Sequence, residues 1–198
     1  MFHGGLAMIS YRSPEALVRK YNTRDPFALA WYLDIPVHML HHPESDLPGL
    51  TCLVSSRPSI FINESYFLNV QKEDPSYTDE TMEDDILQVG AHELGHAVLH
   101  RDELRRAPIK EYEIFNVRSR LEMDANKFAA GIRIDADRMI ELFNSDLTLL
   151  QVASDMRVNI NLLIYKLDEF RKLGYQLPYI PKSNFMGRIH GTGSSEWN

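Results

Sequence analysis

One cysteine, Cys52, is the only thiol in this 198-residue chain. An internal disulfide is therefore excluded, which suits a reducing cytosol. No apolar run approaches the roughly 20 residues that a membrane-spanning helix needs. Met1 to Ser10 lacks a basic segment followed by an apolar core, so no signal peptide is expected. The expected location is cytoplasmic, with no membrane partner. Positive charge is scarce: 21 Lys and Arg stand against 28 Asp and Glu, a net charge of −7. Direct nucleic-acid binding, which needs a basic patch to neutralise phosphates, is not expected. No internal repeat is visible. What remains is ordinary for a soluble globular protein, 44% hydrophobic and 25% charged. The length allows one good core, or a core with a small appendage.

Against that plain background one stretch stands out, His92-Glu93-Leu94-Gly95-His96. It reads H-E-x-x-H inside a run, Asp85 to His100, that should be helical. Residues four apart share a helix face, so His92 and His96 can hold one metal ion between them. Glu93 lies one step around, within reach of a water at that ion, where it would act as general base. Catalytic zinc takes three protein ligands. The third is sought in Arg120 to Ala130, a good helical pattern. Glu122, Asn126 and Ala129 share a face there, with Ala125 beside them. Glu122 is the expected ligand. Asp124 is the rival, two residues on and turned to nearly the opposite side. Asn126 could hydrogen-bond a ligating imidazole and fix its tautomer. Both segments carry small residues, Gly90, Ala91, Gly95 and Ala97 on one and the alanines on the other, so the two helices can approach closely.

Ala91-His92-Glu93-Leu94-Gly95-His96-Ala97-Val98-Leu99-His100, followed by Glu122-x-x-Ala125-Asn126-x-Phe128-Ala129-Ala130, resembles the ImmA/IrrE family of metallo-endopeptidases. The resemblance covers about residues 13 to 135 and, more loosely, the segment after them. It implies a gluzincin-like zinc site with His92, His96 and Glu122 as ligands and Glu93 as the catalytic glutamate. It also implies cytosolic, site-specific cleavage of a helix-turn-helix transcriptional repressor, which derepresses mobile-element or stress-response genes. One departure is visible. Many relatives run from the alanines into an apolar stretch ending in Met-Pro, whereas this chain reads Gly131-Ile132-Arg133-Ile134-Asp135. That changes the exit from the helix and leaves the metal ligands in place.

The remaining pattern predicts an α+β fold: a small antiparallel sheet packed on the active-site helix, with a helical, helix-turn-helix-like tail. Ser13-Pro14-Glu15 and Asp25-Pro26 open two helices. Ile35 to Leu40, Leu50 to Ser55 and Ser59 to Asn63 read as strands, with Arg57-Pro58 in a connection. Cys52 alternates with Leu50 and Val54, as a buried strand residue would. Ile60-Phe61-Ile62-Asn63 is the candidate edge for pairing an extended substrate. Residues 71 to 85 are acidic, either a solvated loop and helix start or a rim that selects a basic substrate. Tyr112 and Tyr165 are candidate donors to a tetrahedral oxyanion. His100 falls on the face of His96. As a fourth ligand it would close the water position, so a structural role is expected. Three domain spans follow: a zincin-like peptidase unit over 1–135, a helical tail over 136–177, and a loose Pro-, Gly- and Ser-rich end over 178–198. The tail has the outline of a helix-turn-helix, with Met156 in place of the usual glycine, but its second helix lacks a basic face.

The resulting expectation is a zinc-dependent endopeptidase acting on a protein, with manganese an acceptable metal for a His, His, Glu set. Two rivals stand beside it. One is a repressor-binding module of the same fold that does not cut. The other is a DNA-binding regulator acting through the tail helices.

Overall fold

The computed structural model describes residues 12–106, 120–145 and 147–175. Two short helices come first, each opened by a capped proline. Ser13 Oγ accepts the Ala16 N–H at the start of α1 (Pro14–Tyr21), and Asp25 caps α2 (Pro26–Tyr32) by accepting from Phe27 N. Asn22, at φ 51°, ends α1 in the left-handed conformation that asparagine tolerates. Strand β1 (Val37–Leu40) follows, and then the hairpin of β2 (Gly49–Val54) and β3 (Arg57–Asn63). Ser55 and Ser56 both take positive φ, as the tight two-residue hairpin connection requires. Arg57 and Pro58 therefore belong to a strand and not to the connection. Pro58 pairs with Leu53 outside the stretch where β1 joins, which begins at Ile60.

The α+β class holds, with one correction: the sheet is mixed. Its order is β1-β3-β2, with β1 parallel and β2 antiparallel to β3. Ile60 to Asn63, expected at an edge, lie in the central strand, bonded on both sides. The physical reason is apolarity. Ile60 and Ile62 are wholly buried, and a strand buried to that degree is fixed between neighbours. The edges are β1 and β2.

Helix α3 (Glu64–Glu73) begins directly at Asn63 without a side-chain cap. The Asn63 amide is committed elsewhere: it bonds His42 N and the carbonyls of His42, Ser45 and Leu47, pinning the loop between β1 and β2. Thr78 then caps the 21-residue α4 (Asp79–Leu99), and α5 (Arg101–Arg106) continues from it. After residues 107–119 come α6 (Arg120–Arg133), α7 (Ala136–Phe143), α8 (Leu149–Asp155) and α9 (Ile160–Lys172). Helix α4 lies between the sheet and α6, and α9 packs on α6. Among the described residues no helix is long and apolar enough to cross a membrane.

The acidic start of α4 is partly spent inside the molecule. Arg157, in the turn between α8 and α9 and at φ 54°, places its guanidinium 2.8 Å from Asp84 and 3.1 Å from Glu80. Gln88 accepts the Asn159 N–H from the same turn. The helix-turn-helix outline is thus docked by its turn against α4. The apolar face of α9, Leu162, Leu163, Leu167 and Phe170, is buried.

Helices α4 and α6 meet where Gly95 faces Ala125. A Cβ on Gly95 would stand 3.0 Å from Ala125 Cα, 3.1 Å from its carbonyl oxygen and 3.2 Å from Phe128 Cβ. Backbone cannot swing aside as a flexible side chain can. Helix propensity alone would make Gly95→Ala stabilising by about 1 kcal/mol, whereas overpacking costs about 1–3 kcal/mol. Net destabilisation is expected in urea unfolding of the metal-free protein. An unchanged or higher midpoint would show that the two helices have room to spare.

Candidate metal centre

Helix α4 presents His92 and His96 on one face, one turn apart, and α6 brings Glu122 to meet them. The His92 and His96 Nε2 atoms are 3.0 Å apart. Glu122 Oε2 is 3.2 Å from His92 Nε2, and its Oε1 is 3.4 Å from His96 Nε2. Among the described residues these three form the one His, Cys, Asp or Glu group close enough to hold a metal ion. A tetrahedral ion bound at about 2.0–2.1 Å separates its ligand atoms by about 3.3 Å. The Nε2 pair, and each Nε2 with its nearer Glu122 oxygen, stand close to that edge length, and two imidazoles with one carboxylate suit zinc. The residues fit the ion.

Proton accounting agrees. With each Nε2 turned toward the centre, each Nδ1 carries hydrogen and needs an acceptor. His92 Nδ1 has Asn126 Oδ1 at 2.9 Å. The Asn126 amide then has its Nδ2 left to donate, and Tyr165 Oη lies 3.4 Å from it. His96 Nδ1 has His100 Nδ1 at 2.9 Å. That contact requires a neutral His100 with its hydrogen on Nε2. Burial and the nearby His96 both push the His100 pKa down, as this tautomer demands. The cost is visible: His100 is 4% exposed, and its Nε2 has no hydrogen-bond partner among the described residues. His100 thus backs His96 instead of joining Glu122 at the centre.

The other expected residues separate cleanly. Glu93 is buried at the sheet side of α4, beside His92, whose imidazole feels its charge. Asp124 points outward, toward Arg120 at 3.8 Å and Lys127 at 3.9 Å. Tyr165 reaches Asn126 from α9, and burial raises its phenol pKa. Tyr112 lies outside the described residues. Cys52 is half-buried in β2 and apart from the centre, its thiol pKa raised by burial. Sequence reasoning missed two residues. Thr51 Oγ1 stands 2.7 Å from Glu93 Oε2, and Gly49, on the same strand, lies against the Glu93 side chain. Only the register of β2 on α4 brings them there, and no local spacing signals it.

His92 and Glu122 carry opposite shifts. Burial opposes charge on His92, but the Glu122 hydrogen bond and the charges of Glu93 and Glu122 outweigh it and raise its pKa. Hydrogen bonds from His92 and His96 hold Glu122 far below the usual carboxylate range.

A family model described as Peptidase_M78, IrrE N-terminal-like domain, matches residues 79–168, from the first residue of α4 well into α9. No curated protein and no solved structure gives a significant match.

A raised His92 pKa keeps a proton on a nitrogen that a metal needs bare. Zinc affinity of the metal-free protein should therefore keep climbing as pH rises past the ordinary imidazole pKa, with protons released on binding. In the metal-free protein the pair contributes stability between the ordinary carboxylate and ordinary imidazole pKa values. That contribution fades below as Glu122 takes a proton and above as His92 loses one. Zinc titration calorimetry in buffers of different ionisation enthalpy reads the release directly. Affinity independent of pH would contradict the protonated His92–Glu122 pair.

Proposed function

We propose that this chain, which over residues 79–168 belongs to the IrrE-like M78 peptidases, is a zinc-dependent, site-specific endopeptidase. His92, His96 and Glu122 hold the ion and Glu93 is the general base. The observation that carries the reading is the convergence of the His92 and His96 Nε2 atoms and the Glu122 carboxylate within metal-binding reach of one another, with the buried Glu93 carboxylate beside them. The chemistry a divalent ion would supply there is a more acidic water and a polarised scissile carbonyl.

This chain's own residues supply the rest. Glu93 takes a proton from the attacking water and passes it to the departing amine. Asn126 and His100 keep the two imidazoles in one tautomer and one orientation. The extended substrate lies along the edge of β2 that pairs with no other strand among the described residues, on the side of the sheet in contact with α4. Manganese would be accepted by the same ligand set.

The substrate proposed is a helix-turn-helix repressor, after the family resemblance. A basic DNA-binding protein also suits a chain of net charge −7. Arg157 has already taken up part of the acidity of α4, so the rim offered to a substrate is weaker than residues 71 to 85 alone suggest. DNA reading by the tail is disfavoured, because the turn of its helix pair is docked on α4 and Lys166 of α9 is buried at 3% exposure.

The repressor encoded nearest the gene, incubated with the zinc- and manganese-loaded protein, should be cut at one site. Glu93→Gln should keep the metal and lose about 10²- to 10⁴-fold in turnover. His92→Ala should lose both metal and turnover. A metal-loaded protein that binds the repressor without cutting it would favour the non-cleaving module, and full activity in Glu93→Gln would remove Glu93 from the chemistry.

A further inference from the structure

Glu93 is gripped from the sheet. Thr51 and Gly49 are two apart on β2, so both face α4. Thr51 is 5% exposed and Glu93 8%. The Thr51 hydroxyl lies 2.7 Å from Glu93 Oε2 and 2.9 Å from the Glu93 backbone oxygen. A hydroxyl has one hydrogen to give, and an ionised carboxylate is the stronger acceptor. The hydrogen therefore goes to Oε2. Glu93 Oε1 makes no hydrogen bond among the described residues.

Gly49 closes the other side. A Cβ there would stand 2.6 Å from Val89 Cγ1, 3.0 Å from Glu93 Cγ and 3.2 Å from Glu93 Oε1. The bare glycine is what leaves space for the carboxylate. Both contacts come from one strand, and that strand is an edge of the sheet.

We propose that Thr51 is a positioning residue for the general base: it fixes Glu93 Oε2 and leaves Oε1 as the oxygen that takes and returns the proton. Gly49 provides the room in which Oε1 works. This rests on the peptidase reading above. It adds that β2 sets the position of the base as well as edging the site. A carboxylate released from Thr51 keeps its place in sequence and loses its aim, which lowers kcat and leaves substrate binding alone.

The contact is tested first without substrate. Urea unfolding of metal-free Thr51→Val, Glu93→Ala and the doubly substituted protein should give non-additive losses. Additive losses would overturn the proposal. Kinetics on the repressor that the wild type cuts then read the role. Thr51→Val should lower kcat about 10- to 100-fold with KM within about 2-fold and zinc affinity unchanged. Thr51→Ser, which keeps the hydroxyl, should recover to within about 3-fold of wild type. Gly49→Ala should lower kcat in the same direction by crowding Oε1. Wild-type kcat in Thr51→Val would overturn the proposal and leave the peptidase reading standing. A zinc-loaded wild type that cuts nothing would end the peptidase reading and this role with it, and the unfolding cycle would then mark the contact as packing alone.

Discussion

The backbone-to-backbone approach of α4 and α6 at Gly95 and Ala125 is the constraint on which the centre depends. Two histidines one turn apart can present their Nε2 atoms in many relative settings. A third donor from another helix can join them only if the helix axes are close enough for a short carboxylate side chain to span the gap. The absence of a Cβ at Gly95 and the small side chains of Ala125 and Ala129 permit that distance. Packing and chemistry are therefore one requirement here. The residues that permit the approach sit within a turn of the residues that would hold the ion.

Around that approach, polar groups are held by both helices and by the sheet. Asn126 and His100 hold the Nδ1 side of the two imidazoles, and Thr51 holds one oxygen of Glu93. In a low-dielectric site an unheld polar group is costly, and a held one is rigid. The exception is His100 Nε2, buried with no hydrogen-bond partner among the described residues. That unsatisfied donor is the consequence of giving His96 an acceptor at a place where water has no access. The structure accepts one unfavourable group so that His96 has one tautomer.

What was legible in the sequence follows from distance along the chain. His92, Glu93 and His96 lie within five residues, and Glu122 with Asn126 within another five, so helix periodicity alone placed each set on one face. Joining the two sets drew on the need for a third ligand and on the family resemblance. The α+β class could be read from strand and helix patterns. The sheet order could not. Nothing local distinguishes a parallel β1 from an antiparallel one, because pairing partners are set by how α2 returns the chain. Ile60 to Asn63 looked like an edge because it precedes the motif helix in sequence, while its complete burial, a tertiary fact, makes it central. Thr51 was invisible for the same reason: it lies 42 residues from Glu93 and meets it only through strand register.

The tail shows how a familiar outline can be put to another use. Two helices joined by a short turn suggest DNA reading, but a reading helix must keep its polar face in solvent. In α9 the cation of Lys166 is drawn inward to Glu15 at 2.7 Å and Glu169 at 2.9 Å. Against its own burial, Lys166 also holds the Glu15 carboxyl below its ordinary pKa, so the pair joins α9 to α1 across the molecule. One residue earlier, Tyr165 reaches Asn126, which in turn holds His92. Adjacent positions of one helix thus bind it to the N-terminal helix and to the backing of the candidate metal centre. A segment connected in this way is a wall of the site, and its geometry is fixed by the same contacts that orient His92.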